Sequence, residues 1–159
     1  MLGIIIPYYK LIFFESTLQS LANQTDKRFK VYIGNDASLE DCDELLKQFK
    51  GKFDFKYHRF ENNLGGTNLT KQWERCIAFS EGEEWLMILG DDDVLEKDCV
   101  ANFYKNEIEI TQSTANVVRF ACKVIDANGS VFLGPYLHPK FELASDFFCR
   151  KVKNQTRSS

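Results

Sequence analysis

No block of lysines and arginines interrupts this 159-residue sequence, whose 20 basic residues are scattered and outnumbered by 23 acids. A net charge of −3 supplies no positive field that would hold nucleic acid or an anionic bilayer without specific contacts. No stretch approaches the ~18 apolar residues of a membrane span. The opening, Met1-Leu2-Gly3-Ile4-Ile5-Ile6-Pro7, lacks both the basic segment and the apolar length of a signal peptide. Five cysteines (Cys42, Cys76, Cys99, Cys122, Cys149) form an odd, widely spaced set without a CxxC pair. That pattern argues for reduced core thiols in a cytoplasmic protein and against zinc. Four Asn-x-Ser/Thr sequons, beginning at Asn23, Asn68, Asn128 and Asn154, carry no weight without an export signal. The only two histidines, His58 and His138, match no triad or metal spacing.

What remains is ordinary globular material: 44% hydrophobic and 27% charged, with enough chain for one domain over 1–159. Against that background one cluster stands out. Asp91, Asp92 and Asp93 follow the apolar run Trp85-Leu86-Met87-Ile88-Leu89 after a single glycine, Gly90. The run has the length and composition of a buried strand. Adjacent carboxylates repel by roughly 1 kcal/mol per pair in water, and more where solvent is excluded. A hard divalent cation relieves this best, because Mg²⁺ and Mn²⁺ take carboxylate oxygens and share their other positions with phosphates. The alternative is that Asp93 caps a helix beginning near Glu96, which would leave two acids unexplained.

Hydrophobic periodicity places the cluster in a larger pattern. Gly3 to Ile6, closed by Pro7, suits a strand buried on both faces. Phe14, Thr17, Leu18 and Leu21 then recur at helical spacing, up to about Asn23. Lys30 to Gly34 reads as a strand in which Val31 and Ile33 alternate with Lys30 and Tyr32. Asn35-Asp36-Ala37-Ser38 turns into a helix carrying Leu45, Leu46 and Phe49. Phe53 to Phe60 alternates as a half-exposed strand. Asn62-Asn63-Leu64-Gly65-Gly66 is a loop, followed by a helix with Leu69, Trp73, Cys76 and Ile77 on one face. Trp73 and Trp85 take core positions. Val100, Phe103, Tyr104 and Ile108 stripe a helix after the aspartates. Val117 to Ile125 is a strand, and Asp126-Ala127-Asn128-Gly129 turns it into a hairpin with Ser130 to Leu133.

Four strands alternating with helices predict an α/β fold with a mostly parallel sheet, whose ligands gather beyond the carboxyl ends of the strands. Pro7-Tyr8, Asp36 and Asp91 to Asp93 all fall at such ends. Asp36 can bond a nucleobase edge, or Asp36 or Ser38 can cap the next helix. Gly65-Gly66 has neither the GxGxxG pattern nor a P-loop lysine, which argues against dinucleotide and NTPase sites. Lys71 and Arg75, one turn apart, can face a diphosphate or form a solvated face.

Taken in order, Ile4-Ile5-Ile6-Pro7-Tyr8-Tyr9, Thr17 to Thr25, Ile33-Gly34-Asn35-Asp36-Ala37-Ser38, Asn62-Asn63-Leu64-Gly65 and Leu89-Gly90-Asp91-Asp92-Asp93-Val94-Leu95 resemble the family 2 glycosyltransferases. The resemblance covers roughly residues 3 to 110. It implies the GT-A fold, a nucleotide-diphospho-sugar donor and a glycan or lipid-linked acceptor, with transfer usually inverting and used in surface polysaccharide assembly. Carried onto this chain, it implies that Pro7 and Tyr8 line the nucleoside pocket and that Asp36 binds the base. Asp91 would bind the ribose, and Asp92 and Asp93 would hold Mg²⁺ or Mn²⁺ on the diphosphate. It also implies peripheral membrane association of a full-length form, and no nucleic-acid partner.

Two departures qualify the resemblance. Family members often show Asp-x-Asp-Asp where this chain has Gly90 at the first position. The family's catalytic base lies further along than the 66 residues after Asp93 (159 − 93), and Asp126, Glu142 and Asp146 are the only acids after Val117. The expectation is therefore a donor-binding half whose acceptor-binding part is largely missing. A non-catalytic nucleotide-sugar-binding fragment is one rival. A nucleotidyltransferase lacks its basic loop here, because Pro7-Tyr8-Tyr9-Lys10 is not one. A metal-dependent phosphatase lacks its nucleophilic aspartate after Ile6.

Overall fold

The computed structural model describes residues 1–152. The chain falls into two compact units, Met1–Ile108 and a second beginning at Glu109. In the first, four strands form one sheet: β1 (Leu2–Tyr8), β2 (Phe29–Asn35), β3 (Asp54–Arg59) and β4 (Trp85–Ile88). Their order is β3-β2-β1-β4 and every pairing is parallel. Helices α1 (Phe14–Ala22), α2 (Asp43–Phe49) and α3 (Leu69–Ala78) make the crossovers, and α4 (Cys99–Gln112) follows β4. Because the strands run one way, all their carboxyl ends reach the same edge. Tyr8 lies opposite Asn35, and Asn35 opposite Arg59.

The centre of the sheet is buried on both faces. Ile4, Ile5, Ile6, Val31, Tyr32 and Ile33 are fully inaccessible, each aliphatic one contributing about 1.5–3 kcal/mol by burial. Tyr32 does not alternate to solvent as its pattern predicted: β2 is covered on both sides, and the Tyr32 ring packs with Ile5 and Cys76. Helix α1 buries the predicted Phe14, Thr17, Leu18 and Leu21 and ends at Asn23. β1 does not stop at Pro7 but continues through it to Tyr8. Ile5 C=O accepts from Leu89 on the β4 side, whereas Tyr8 C=O accepts from Asp36 on the β2 side. Pro7 shares the parity of Ile5, so its missing N–H falls on the β4 side beyond the last β4 pair.

Other expectations fail for identifiable reasons. β4 is an outer strand rather than a buried one, and leaves Leu86 and Ile88 about 40% exposed. Leu69 and Trp73 are exposed because α3 turns Gln72 and Cys76 inward, where Gln72 Nε2 donates to Gly34 C=O at 3.3 Å. In α4, Val100 and Phe103 are buried while Ile108 faces outward. That helix starts at Cys99, past Glu96, so Asp93 does not cap it.

On one face of the sheet Glu81 receives Lys30 Nζ at 2.5 Å and also pairs with Lys56, while the Tyr32 hydroxyl donates to Glu83. The two lysine hydrogen bonds hold the Glu81 carboxyl down at about 2, from an ordinary 4.5. A depressed carboxyl stabilises the folded state above its unfolded pKa. That contribution is lost as pH falls from about 4.5 toward 2. Urea midpoints measured at pH 7 and pH 3 should therefore differ less in Glu81→Gln than in the wild type.

The second unit holds an antiparallel hairpin of β5 (Cys122–Ile125) and β6 (Val131–Tyr136), then α5 (Ala144–Val152). The predicted turn is present: Asp126 N–H donates to Ser130 C=O, and Asp126 Oδ1 accepts from Asn128 and Ser130 N–H. The predicted strand from Val117 is shorter, since only Cys122–Ile125 pairs with β6. Its apolar face is not buried, with Phe120 and Val124 exposed. Glu142 lies between Arg119 at 2.6 Å and Arg150 at 2.9 Å, which draw its carboxyl down to about 2.

Candidate functional site

Three strand ends and one loop make the rim where the chemistry-bearing residues collect. At the end of β2 the chain reverses through Ala37, whose φ of +54° is a left-handed conformation uncommon outside glycine. This reversal brings Ser38 N–H back onto Asn35 Oδ1 at 2.8 Å, and Asn35 Nδ2 reaches Tyr57 on β3 at 2.8 Å. Asp36 is thereby turned inward, and its side chain is only 5% exposed. Oδ1 accepts from Leu64 N–H at 2.7 Å and from Arg75, and Oδ2 accepts from Gly65 N–H at 2.8 Å. Neither Asp36 nor Ser38 caps α2, whose N-cap is Cys42. Gly65 is required by this approach, because a Cβ there would stand 2.6 Å from Asp36 Oδ2.

The segment after β1 is held by carboxylates from both sides. Asp91 Oδ2 accepts from Tyr9 N–H at 2.7 Å and Lys10 N–H at 2.8 Å, and Glu40 Oε2 accepts from Leu11 N–H at 2.5 Å. Thr17 Oγ1 donates to Asp91 C=O at 3.1 Å. Asp91 therefore binds the β1–α1 connection with one oxygen and keeps Oδ1 outside these bonds. Tyr8 is fully buried beneath this connection, its ring 4.6 Å from Phe14 and its hydroxyl donating to Glu40 C=O. Burial pushes the Tyr8 phenol above its ordinary pKa, so it stays protonated. Pro7 is half-buried, and the next ring, Tyr9, is 44% exposed at the rim.

Asp92 and Asp93 stand in the turn after β4. Asp93 N–H donates to Gly90 C=O at 3.2 Å, and Gly90 N–H returns a bond to Asp93 Oδ2 at 3.2 Å. Both residues are exposed. A Cβ on Gly90 would lie 2.8 Å from Asp93 Oδ2 and 2.9 Å from Asp92 Oδ1, so the bare glycine leaves the two carboxylates room to converge. Among the described residues no group of three or more His, Cys, Asp or Glu side chains is gathered as a metal site. Two carboxylates with an oxygen each beside Gly90 nonetheless fit Mg²⁺ or Mn²⁺, which commonly take one or two protein carboxylates and complete their shell with phosphate and water.

Arg75 and Lys71 part company: Lys71 is exposed, whereas Arg75 is drawn into the rim. Arg75 was read as half of a pair that faces a diphosphate or solvent, and its partners prove to be Asp36 and Asn62 C=O; Gln72 and Glu40 were not legible as site residues. His58 packs on Phe60 and Phe79, and no chemistry gathers around it. Burial lifts the Cys76 thiol to about 12 and the Cys99 thiol to about 11, which leaves neither nucleophilic at neutral pH.

Comparison with known proteins fits this arrangement. The family model "Glycosyl transferase family 2" matches residues 4–128, and the chain belongs to that family. Among solved structures, S. aureus TarS superposes with a TM-score of 0.62 at 24% identity, covering 69% of this chain and 20% of that one. TarS 1-349 in complex with UDP gives 0.62 at 24%, covering 69% and 32%. TarS 1-349 in complex with UDP-GlcNAc gives 0.59 at 20%, covering 80% and 41%. These likenesses establish the GT-A fold, and the chain spans between a fifth and about two-fifths of those chains. No curated protein sequence matches.

Proposed function

We propose that this chain is the donor-binding part of an inverting glycosyltransferase. Such an enzyme takes a sugar from a nucleoside diphosphate and passes it to the hydroxyl of a glycan or lipid-linked acceptor in surface polysaccharide assembly. The observation that carries the reading is the shared rim: the Asp36 clamp, the Asp91-held β1–α1 connection and the Asp92–Asp93 pair lie at carboxyl ends of strands in one parallel sheet. That is where open α/β sheets bind ligands.

In this reading Pro7 and the exposed ring of Tyr9 flank the nucleoside, with Tyr8 supporting them from beneath. Asp36 Oδ2 carries one hydrogen bond, which leaves it a lone pair for an imino N–H of the base. Asp91 Oδ1 serves the ribose, and Asp92 and Asp93 hold the metal. A bound divalent ion offsets the charge that builds on the departing diphosphate. The protein's own contribution is positioning, so that an acceptor oxygen meets the anomeric carbon in line.

Two of the three late acids, Glu142 and Asp126, favour a second reading for the chain taken alone, in which donor binds without transfer. A general base needs a pKa near the working pH. Glu142 is drawn to about 2 by two arginines, and Asp126 is engaged in a turn.

Thermal unfolding with UDP, GDP, CDP and dTDP sugars, each with and without Mn²⁺, tests the proposal. A ligand at about 100 times its Kd stabilises by about 2.7 kcal/mol. One nucleotide series should raise Tm, and more so with Mn²⁺. A flat response to every nucleotide sinks the reading.

A further inference from the structure

Asp36 and Arg75 are both set into the rim, at 5% and 23% side-chain exposure. Between them they fix the 62–66 loop at three points. Arg75 Nη2 donates to Asp36 Oδ1 and to Asn62 C=O, the latter at 2.8 Å. Its Nε donates to Gln72 Oε1 at 2.5 Å, and the guanidinium carbon lies 3.9 Å from the Phe60 ring centroid. Asp36 in turn takes the N–H groups of Leu64 and Gly65. The start and the middle of the loop are thus referred to one guanidinium. Gln72 anchors the assembly to the sheet through Gly34 C=O.

A planar fork of five donors is needed for this role. Lysine carries a point charge that cannot span Asp36, the Asn62 carbonyl and Gln72 together. None of the bonds that Arg75 makes requires a ligand, and its plane is covered on one side by Phe60.

We propose that Arg75 is a positioning residue for the nucleoside end of the donor site. It acts through Asp36 and the 62–66 loop without touching the ligand. It fixes the height of the loop over the end of β2 and fixes which face of the Asp36 carboxylate is left unshared. The inference rests on the reading that a nucleoside diphosphate binds at this rim. It adds a residue on α3 that the Pro7, Asp36 and Asp91–Asp93 set does not contain.

The test compares UDP with inorganic pyrophosphate, each titrated in the presence of Mn²⁺ and followed by calorimetry or NMR. The proteins are the wild type, Arg75→Met, Arg75→Lys and Lys71→Met. Methionine preserves the contact with Phe60 while removing every donor. Arg75→Met should bind UDP about tenfold more weakly, the order of one lost hydrogen-bonded positioning contact, and bind pyrophosphate as the wild type does. Arg75→Lys should recover part of that loss, and Lys71→Met should lose nothing. Undiminished UDP affinity in Arg75→Met overturns the proposal. So does an equal loss for UDP and pyrophosphate, which would mean a general loosening of the rim. Should Arg75→Met fail to fold, Arg75→Lys carries the same comparison with the same two overturning results. A wild type that binds pyrophosphate but not UDP overturns the nucleoside reading itself, and is seen before any variant is made.

Discussion

In Asp92→Asn/Asp93→Asn the manganese-dependent part of nucleotide stabilisation should vanish while the metal-independent part survives. The two carboxylates are exposed, and Gly90 gives them a common space that a Cβ would fill. Asparagine keeps the size and one acceptor oxygen of aspartate but removes the charge, which is what a hard dication binds. With UDP at about 100 times its Kd, the ligand supplies about 2.7 kcal/mol. For a chain of this size each kcal/mol shifts Tm by about 2–4 °C. The wild type should therefore gain roughly 5–10 °C with UDP and Mn²⁺. The double variant should fall back to the shift that UDP produces alone. Gly90→Ala offers a geometric counterpart: both charges stay, but a methyl group would stand under 3 Å from an oxygen of each. It should weaken the manganese response in part without altering the response to metal-free nucleotide. A manganese shift unchanged in the double variant would remove Asp92 and Asp93 from the site.

The aspartates were legible from sequence because charge clustering after an apolar run is a local signal, and strand ends are where such runs stop. That Asp91 also ties down the β1–α1 connection was not. Asp91 turns toward the β1–α1 connection because Tyr9 and Lys10 present two adjacent N–H groups to it, a contact across 82 and 81 residues that no local pattern encodes. Gly90 looked like a defect in a ligand motif. In three dimensions it leaves free the space beside an oxygen of both Asp92 and Asp93 that a Cβ would take. Asp36 stood out by position alone, and both readings of its local environment, helix cap and open acceptor, missed the clamp formed with a helix 39 residues later.

The sheet itself was easier to read, because period-two and continuous apolar runs report burial directly. Where it was misread, an unseen neighbour decided the outcome. Tyr32 looked half-exposed because Lys30 and Tyr32 share a polar-looking face, yet α3 and the α3–β4 segment cover it. Trp85 to Leu89 looked buried because its residues are apolar, yet among the described strands β4 is one of the two at the edges of the sheet. On α3 the apolar stripe of Leu69 and Trp73 lost to Gln72 and Cys76, which the helix turns onto the sheet, Gln72 Nε2 donating to Gly34 C=O.

That same contact makes Gly34→Ala the largest expected loss of stability. Gly34 sits on β2 one residue before Asn35, against Cys76 of α3. An added Cβ would lie 2.4 Å from Cys76 Sγ and 3.0 Å from Phe60 Cε2. Cys76 is fully buried, and neither it nor the strand has space to retreat into. Overpacking of this kind costs about 1–3 kcal/mol, and the obstacle here is a buried side chain held on α3. Urea denaturation should place Gly34→Ala in that range. Cys76→Ala alone should cost less, because it vacates only a sulfur. Gly34→Ala/Cys76→Ala should be more stable than the sum of the two losses predicts, since the new methyl takes the vacated volume. A non-additive gain of about 1 kcal/mol is the size expected of side chains in direct contact. Strict additivity would mean that α3 does not press on β2 at Gly34. The seat of Gln72, and with it the anchor of the Arg75 clamp, would then have to lie elsewhere.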